Sequence, residues 1–102
     1  MSFKKQYLKS RPQCKVTFRL PKEAASEAKV VNLVGEFNNW SMVETPMKRL
    51  KSGDFTVTVE LPVGKAYPFR YLLDQMNWEN DWDADRYEKS GVGDCENSVV
   101  VV

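Results

Sequence analysis

The chain predicts an all-β fold, a two-sheet antiparallel sandwich of six or seven short strands. Three observations carry that expectation. Several stretches alternate apolar and polar side chains with a period of two, the pattern of a half-buried strand. Gly, Pro, Asn and Asp separate those stretches at short intervals. No segment holds a 3.6-residue apolar period long enough for an independent helix.

In order along the chain, residues 1–12 are polar and basic, with Lys4, Lys5, Lys9 and Arg11 closed by Pro12. They read either as a flexible terminal arm or as a strand or contact used in self-association, for which Phe3, Tyr7 and Leu8 supply apolar surface. The folded domain then spans 13–102. From Cys14 to Leu20 the alternation is clean, with Cys14, Val16, Phe18 and Leu20 on one face. Pro21 to Ala28 is a loop with room for one helical turn. Lys29 to Val34 is more continuously apolar and reads as a central strand. Gly35-Glu36-Phe37-Asn38-Asn39-Trp40 is a turn with unusual backbone angles, ending on a large aromatic. A surface loop over 41–46 leads to a short edge strand at 47–50 and a hairpin turn at 51–54.

Phe55 to Leu61 is the clearest strand, with Phe55, Val57, Val59 and Leu61 inward and β-branched residues on both faces. Tyr67 to Asp74 places Phe69, Tyr71 and Leu73 on one face and Arg70, Leu72 and Asp74 on the other. Pro68 suggests an edge strand or a position at the strand's start. Residues 75–86 read as an irregular, acidic, Trp-bearing segment and 87–96 as a loop. Asn97 to Val102 is a terminal strand.

At 102 residues the chain is a single domain with one core. A net charge of +1 does not favour nucleic acid or a membrane surface as partner. No apolar run approaches the roughly 18 residues of a membrane span, and the N-terminal residues lack the apolar stretch of a signal peptide. Cytoplasmic localisation is the default expectation. Cys14 and Cys95 suit a reducing compartment as free thiols; a disulfide between them requires the first and last strands to lie close.

The absence of histidine removes the usual general base and metal ligand. No Ser-His-Asp or Cys-His arrangement can form, and no CxxC, HExxH or phosphate-cradling glycine loop is present. Asp81, Asp83 and Asp85 sit on one short segment, which does not supply the cross-cleft carboxylate pair of a glycosidase. They also lack the glycine and bidentate Glu of a calcium loop, and read as a solvated turn whose carboxylates cap backbone N–H groups. The chain is expected to be no enzyme, with neither cofactor nor metal.

The aromatic positions point elsewhere. Trp40, Trp78 and Trp82 fall in expected loops, whereas core aromatics sit on alternating strand positions. A flat ring on a loop can stack on the C–H face of a sugar while nearby Arg or Asn side chains bond its hydroxyls. It can equally be a lid on the core. Arg70, on the polar face of the strand before Trp78, offers several donors in a fixed fork.

The run Val31-Asn32-Leu33-Val34-Gly35-Glu36-Phe37-Asn38-Asn39-Trp40, with Pro46 to Leu50, Gly53-Asp54-Phe55, Leu61 to Gly64, Phe69 to Asp74, Trp78 to Asp81 and Glu96 to Val100, resembles the isoamylase-type early-set domain. This is the glycogen-binding module of the AMP-activated kinase β subunit and of branching and debranching enzymes. The resemblance covers roughly 14–102. It implies an immunoglobulin-like antiparallel sandwich of six to eight short strands. Its implied function is non-catalytic recognition of α-1,4-linked glucan. The residues it assigns to sugar are Trp40, Arg70, Trp78 and Asn97. Arg70 stands where the kinase module has Lys, Asp94 and Glu96 replace neutral groups, and Asp74-Gln75-Met76-Asn77 replaces a tighter Asp-Gly turn. The implied partners are an α-glucan polysaccharide or maltooligosaccharide, with a glycogen-metabolising enzyme or a second copy as further candidates. The competing expectation is a protein-interaction or structural module that keeps the fold without the sugar site.

Overall fold

The computed structural model describes residues 3–25, 27–90 and 95–102. Their strands are β1 (Phe3–Tyr7), β2 (Gln13–Leu20), β3 (Val31–Gly35), β4 (Lys48–Arg49), β5 (Phe55–Pro62), β6 (Ala66–Leu73), β7 (Asn77–Glu79), β8 (Arg86–Lys89) and β9 (Glu96–Val101). One helical turn, α1 (Lys22–Ala25), and one 3-10 turn (Glu36–Asn38) complete the elements. One sheet runs β1-β2-β5-β4; the other runs β3-β6-β9-β8, with β7 also paired to β6. Every pairing is antiparallel. Among the described residues no helix is long and apolar enough to cross a membrane.

The inward faces form as their alternation predicts. Cys14, Val16, Phe18 and Leu20 from β2 meet Tyr67, Phe69, Tyr71 and Leu73 from β6, all buried. Phe18 and Phe69 pack edge to face with centroids 5.0 Å apart, and Phe69 repeats this with Tyr71 at 5.5 Å. Offset ring contacts of this kind add to simple area burial.

Four expectations need correction. The segment 1–12 is not a free arm over 3–7: β1 pairs along β2 from Phe3↔Phe18 to Tyr7↔Cys14. Its Phe3 ring is buried against Phe18 and Phe69. Of the segment's apolar side chains, Phe3 is thus used in the core between the two sheets, whereas Tyr7 stays 56% exposed.

Second, β3 is an edge strand rather than a central one. All five of its residues are nevertheless buried. The chain at 45–47 covers the open edge, with Leu33 N–H donating to Thr45 O and Met47 N–H to Val31 O. A covered edge looks apolar on both faces, as a central strand does. The central strand is β6, and Pro68 sits just before the first β3 pair, Gly35↔Phe69, where a missing N–H costs no β3 bond.

Third, Asp74 lies in the turn after β6 and not in the strand. Asp74 (φ 51°) and Gln75 (φ 59°) are both left-handed, and Met76 N–H donates to Leu73 O. Positive φ at both central residues matches the right-handed twist of a hairpin. Fourth, the segments expected to be irregular contain β7 and β8, and Asp81 is not solvated. It is buried, accepts the Tyr71 hydroxyl at 2.7 Å and caps Asp83 N–H at 2.8 Å. Asp85 caps Val101 N–H and pairs with Lys5. Cys14 is buried and Cys95 exposed, and both are free thiols.

Candidate functional site

The site grows from the turn after β3. Gly35 must be glycine because a Cβ there would lie 2.8 Å from both the Phe69 Cβ and the Phe37 ring. Its backbone is ordinary extended chain; the constraint is space alone. Asn38 is buried and knits the turn: its Oδ1 accepts Gly35 N–H, and its Nδ2 donates to Leu33 O and Thr45 Oγ1. Asn39 N–H bonds Glu36 O, and Trp40 N–H reaches back to Gly35 O at 2.8 Å. This pair of bonds is the Schellman closure of a helical turn, with Asn39 in the left-handed conformation it tolerates well. Trp40 also has positive φ, 58°. For a bulky residue that costs about 1 kcal/mol or more. The backbone holds this ring against its preference, and 40% of the residue stays exposed.

The second sheet supplies the floor on its outer face. Val34 pairs with Arg70 across β3 and β6. Asn97 lies one step past the last β6–β9 pair, Phe69↔Ser98, and so falls beside Arg70. Val34, Arg70 and Asn97 therefore form one row across three strands. Trp78, on β7, stands two pairs along, opposite Leu72 and so on the same face, with 47% of its surface exposed.

The partner of β6 changes from β9 to β7 along this flank, and Asn80 stitches the junction. Its Nδ2 donates to Glu96 O, while its Oδ1 accepts both the N–H and the hydroxyl of Ser98. Asp81 N–H donates to the same Ser98 hydroxyl oxygen.

Trp40, Arg70, Trp78 and Asn97, named from the sequence, all line one cleft of about 510 Å³. Val34, Met42, Ser90 and Cys95 complete it. A smaller hollow of about 210 Å³ shares Arg70, Trp78 and Cys95 and adds Glu79, Asn80 and Glu96. Arg70 Nε is buried with no hydrogen-bond partner among the described residues. An unmet buried donor is costly unless something completes it, and this one belongs to a side chain that lines both hollows.

Met42, Cys95, Glu79 and Asn80 were not named as site residues from the sequence. Only their place beside named residues marks them. Trp82 is exposed but lines neither hollow. Asp94 lies outside the described residues. Among the described residues no cluster of acids or thiols is arranged to hold a metal.

The arrangement brings two half-exposed aromatic plates over a floor of Val34, Arg70 and Asn97. A search of curated proteins finds no match. The family model for carbohydrate-binding module 48, the isoamylase N-terminal domain, matches residues 10–88, and the chain belongs to that family of non-catalytic carbohydrate-binding modules.

Proposed function

We propose that this module binds α-1,4-linked glucan, such as a glycogen or starch chain, in the Trp40–Trp78 cleft. The observation that supports this most is the convergence of two exposed indole rings on a cleft floored by an arginine whose buried Nε has no partner among the described residues. Indole faces stack on the C–H faces of glucose rings. The Arg70 fork donates to hydroxyl groups, and Asn97 both donates and accepts. The smaller hollow extends the track past the Arg70–Trp78 ridge, so the ligand is a chain of at least two sugar units. There Glu96, which stands in place of a neutral group, and Glu79 accept hydroxyl protons. The free thiols suit a cytoplasmic setting, where a glycogen-metabolising enzyme is the expected companion.

The test is retardation of the protein in a native gel cast with glycogen, together with a tryptophan fluorescence titration using maltoheptaose. Trp40→Ala and Trp78→Ala should each cost about 2 kcal/mol, roughly 30-fold in affinity. Absence of both retardation and a fluorescence change at millimolar sugar would reject the reading.

A protein-interaction role is favoured by one feature only. Val43 and Met76 are 74% and 75% exposed, and the Gln75 amide ties their two loops together through Met42 O. If sedimentation shows a dimer that maltoheptaose leaves intact and Val43→Lys/Met76→Lys dissolves, that role replaces sugar binding.

A further inference from the structure

A second hollow, of about 550 Å³, shares no residue with the aromatic cleft. It lies between α1, the chain entering β3 and the β4–β5 turn. Its lining is Lys22, Glu27, Ala28, Lys29, Arg49, Lys51, Ser52, Gly53 and Phe55. Four cations thus face one carboxylate, in a chain whose overall charge is only +1. None of the four cationic side chains is ion-paired with a described residue.

The walls are pinned through the backbone, which leaves those side chains unengaged. Lys22 N–H donates to Asp54 Oδ1 at 2.9 Å, and Arg19 holds the same carboxylate from behind. Lys29 N–H donates to Asp74 Oδ1 at 2.8 Å. The stem of Lys22 crosses Gly53, where a Cβ would lie 3.2 Å from the lysine Cβ and where φ is +95°. A side chain at 53 would intrude at this wall. Asp54 and Asp74 moderate the field, but both are occupied with N–H groups or with Arg19, and neither lines the hollow.

We propose that this hollow binds a phosphate monoester on a sugar-sized molecule. A guanidinium matches two phosphate oxygens at once, and lysine ammonium groups act as adjustable point charges around them. Glu27 and Ser52 offer hydroxyl-bonding groups for the rest of the molecule. The concavity suits one or two rings, whereas a long polyanion would need an extended basic stripe. Such a ligand comes either free in solution or as a phosphate carried on a glucan chain, with the same chemistry at the hollow.

The test is an amide-shift NMR titration with glucose 6-phosphate, inorganic phosphate and a hexaglutamate peptide, at ionic strength held constant with sodium chloride. Glucose 6-phosphate should move the amides of Lys22, Lys29 and residues 51–53, and bind more tightly than inorganic phosphate. The double variant Arg49→Ala/Lys51→Ala, at exposed positions, should keep the spectrum of the fold and weaken binding at least ~10-fold. Trp78→Ala should leave this response unchanged, which separates it from the glucan cleft. Phosphorylated maltodextrin binding more tightly than glucose 6-phosphate, with loss in both variants, identifies the chain-borne source. Equal response in wild type and double variant, tighter binding of the peptide, or shifts confined to Trp40 and Trp78 overturns the proposal.

Discussion

Two neighbouring asparagines in the turn after β3 do different work. Asn38 is a buried connector, and Asn39 is a backbone device in the left-handed region. Asn38→Ala leaves Gly35 N–H, Leu33 O and Thr45 without their partner, and should destabilise the fold by about 2–3 kcal/mol in urea melts. Trp40→Ala removes an exposed ring and relieves the cost of its positive φ only slightly, so it should affect binding far more than melting. The thiols give a second residue-level check. Cys14 is 0% exposed on β2, while Cys95 is exposed and lines the cleft. A thiol reagent should therefore modify one cysteine quickly and the other only on unfolding. Saturating maltoheptaose should slow the fast reaction; an unchanged rate would place the sugar elsewhere.

At the scale of elements, the β6–β7 hairpin carries Trp78 and is fastened by Asp74. Its carboxylate accepts the Val30 and Lys29 N–H groups, which hold its pKa below the ordinary 3.8. A depressed carboxylate stabilises the fold at pH above its unfolded value and loses that contribution as pH falls through the folded value. Asp74→Asn should thus lower the melting temperature at pH 7, and the gap to wild type should narrow below pH ~4. A gap independent of pH would show that the N–H bonds matter without the charge. Asp54 behaves alike, lowered first by its bond to Arg19. On the other flank, Asn80 joins β7 to β9. Asn80→Ala should reduce glucan affinity by loosening β7, which carries Trp78, against β9.

At the scale of the whole molecule, the first strand closes the sandwich. Phe3 packs on Phe18 and Phe69, one from each sheet, and Lys5 bridges at 2.7 Å to Asp85, the residue that leads into the far sheet's edge strand β8. Phe3→Ala should cost about 3–4 kcal/mol in chemical denaturation, the usual range for a buried ring. Lys5→Ala should cost well under about 1 kcal/mol, since the pair is partly exposed. A cost for Phe3→Ala as small as that for Lys5→Ala would return residues 3–7 to the status of a loose arm.

Local pattern determined much of this protein. The alternation in β2, β5 and β6 set which side chains face inward, because strand side chains switch faces at every residue whatever the neighbours are. Glycine, asparagine and proline marked the turns, because few other residues meet their backbone demands. The four residues named for the sugar site do line one cleft. Tertiary structure alone decided the rest. Whether β3 was central or an edge depended on the chain at 45–47 crossing its open side, a contact with no signature in the β3 residues. Whether 3–7 was an arm or a strand depended on β2 offering a free edge. Strands β7 and β8 are short and lack a clean apolar alternation, and they exist because β6 and β9 present unpaired backbone to them. The basic hollow gathers Lys22, Lys29, Arg49 and Lys51 from three separate stretches. Alternation is encoded residue by residue, but the concave surface where those cations meet exists only once the two sheets have closed.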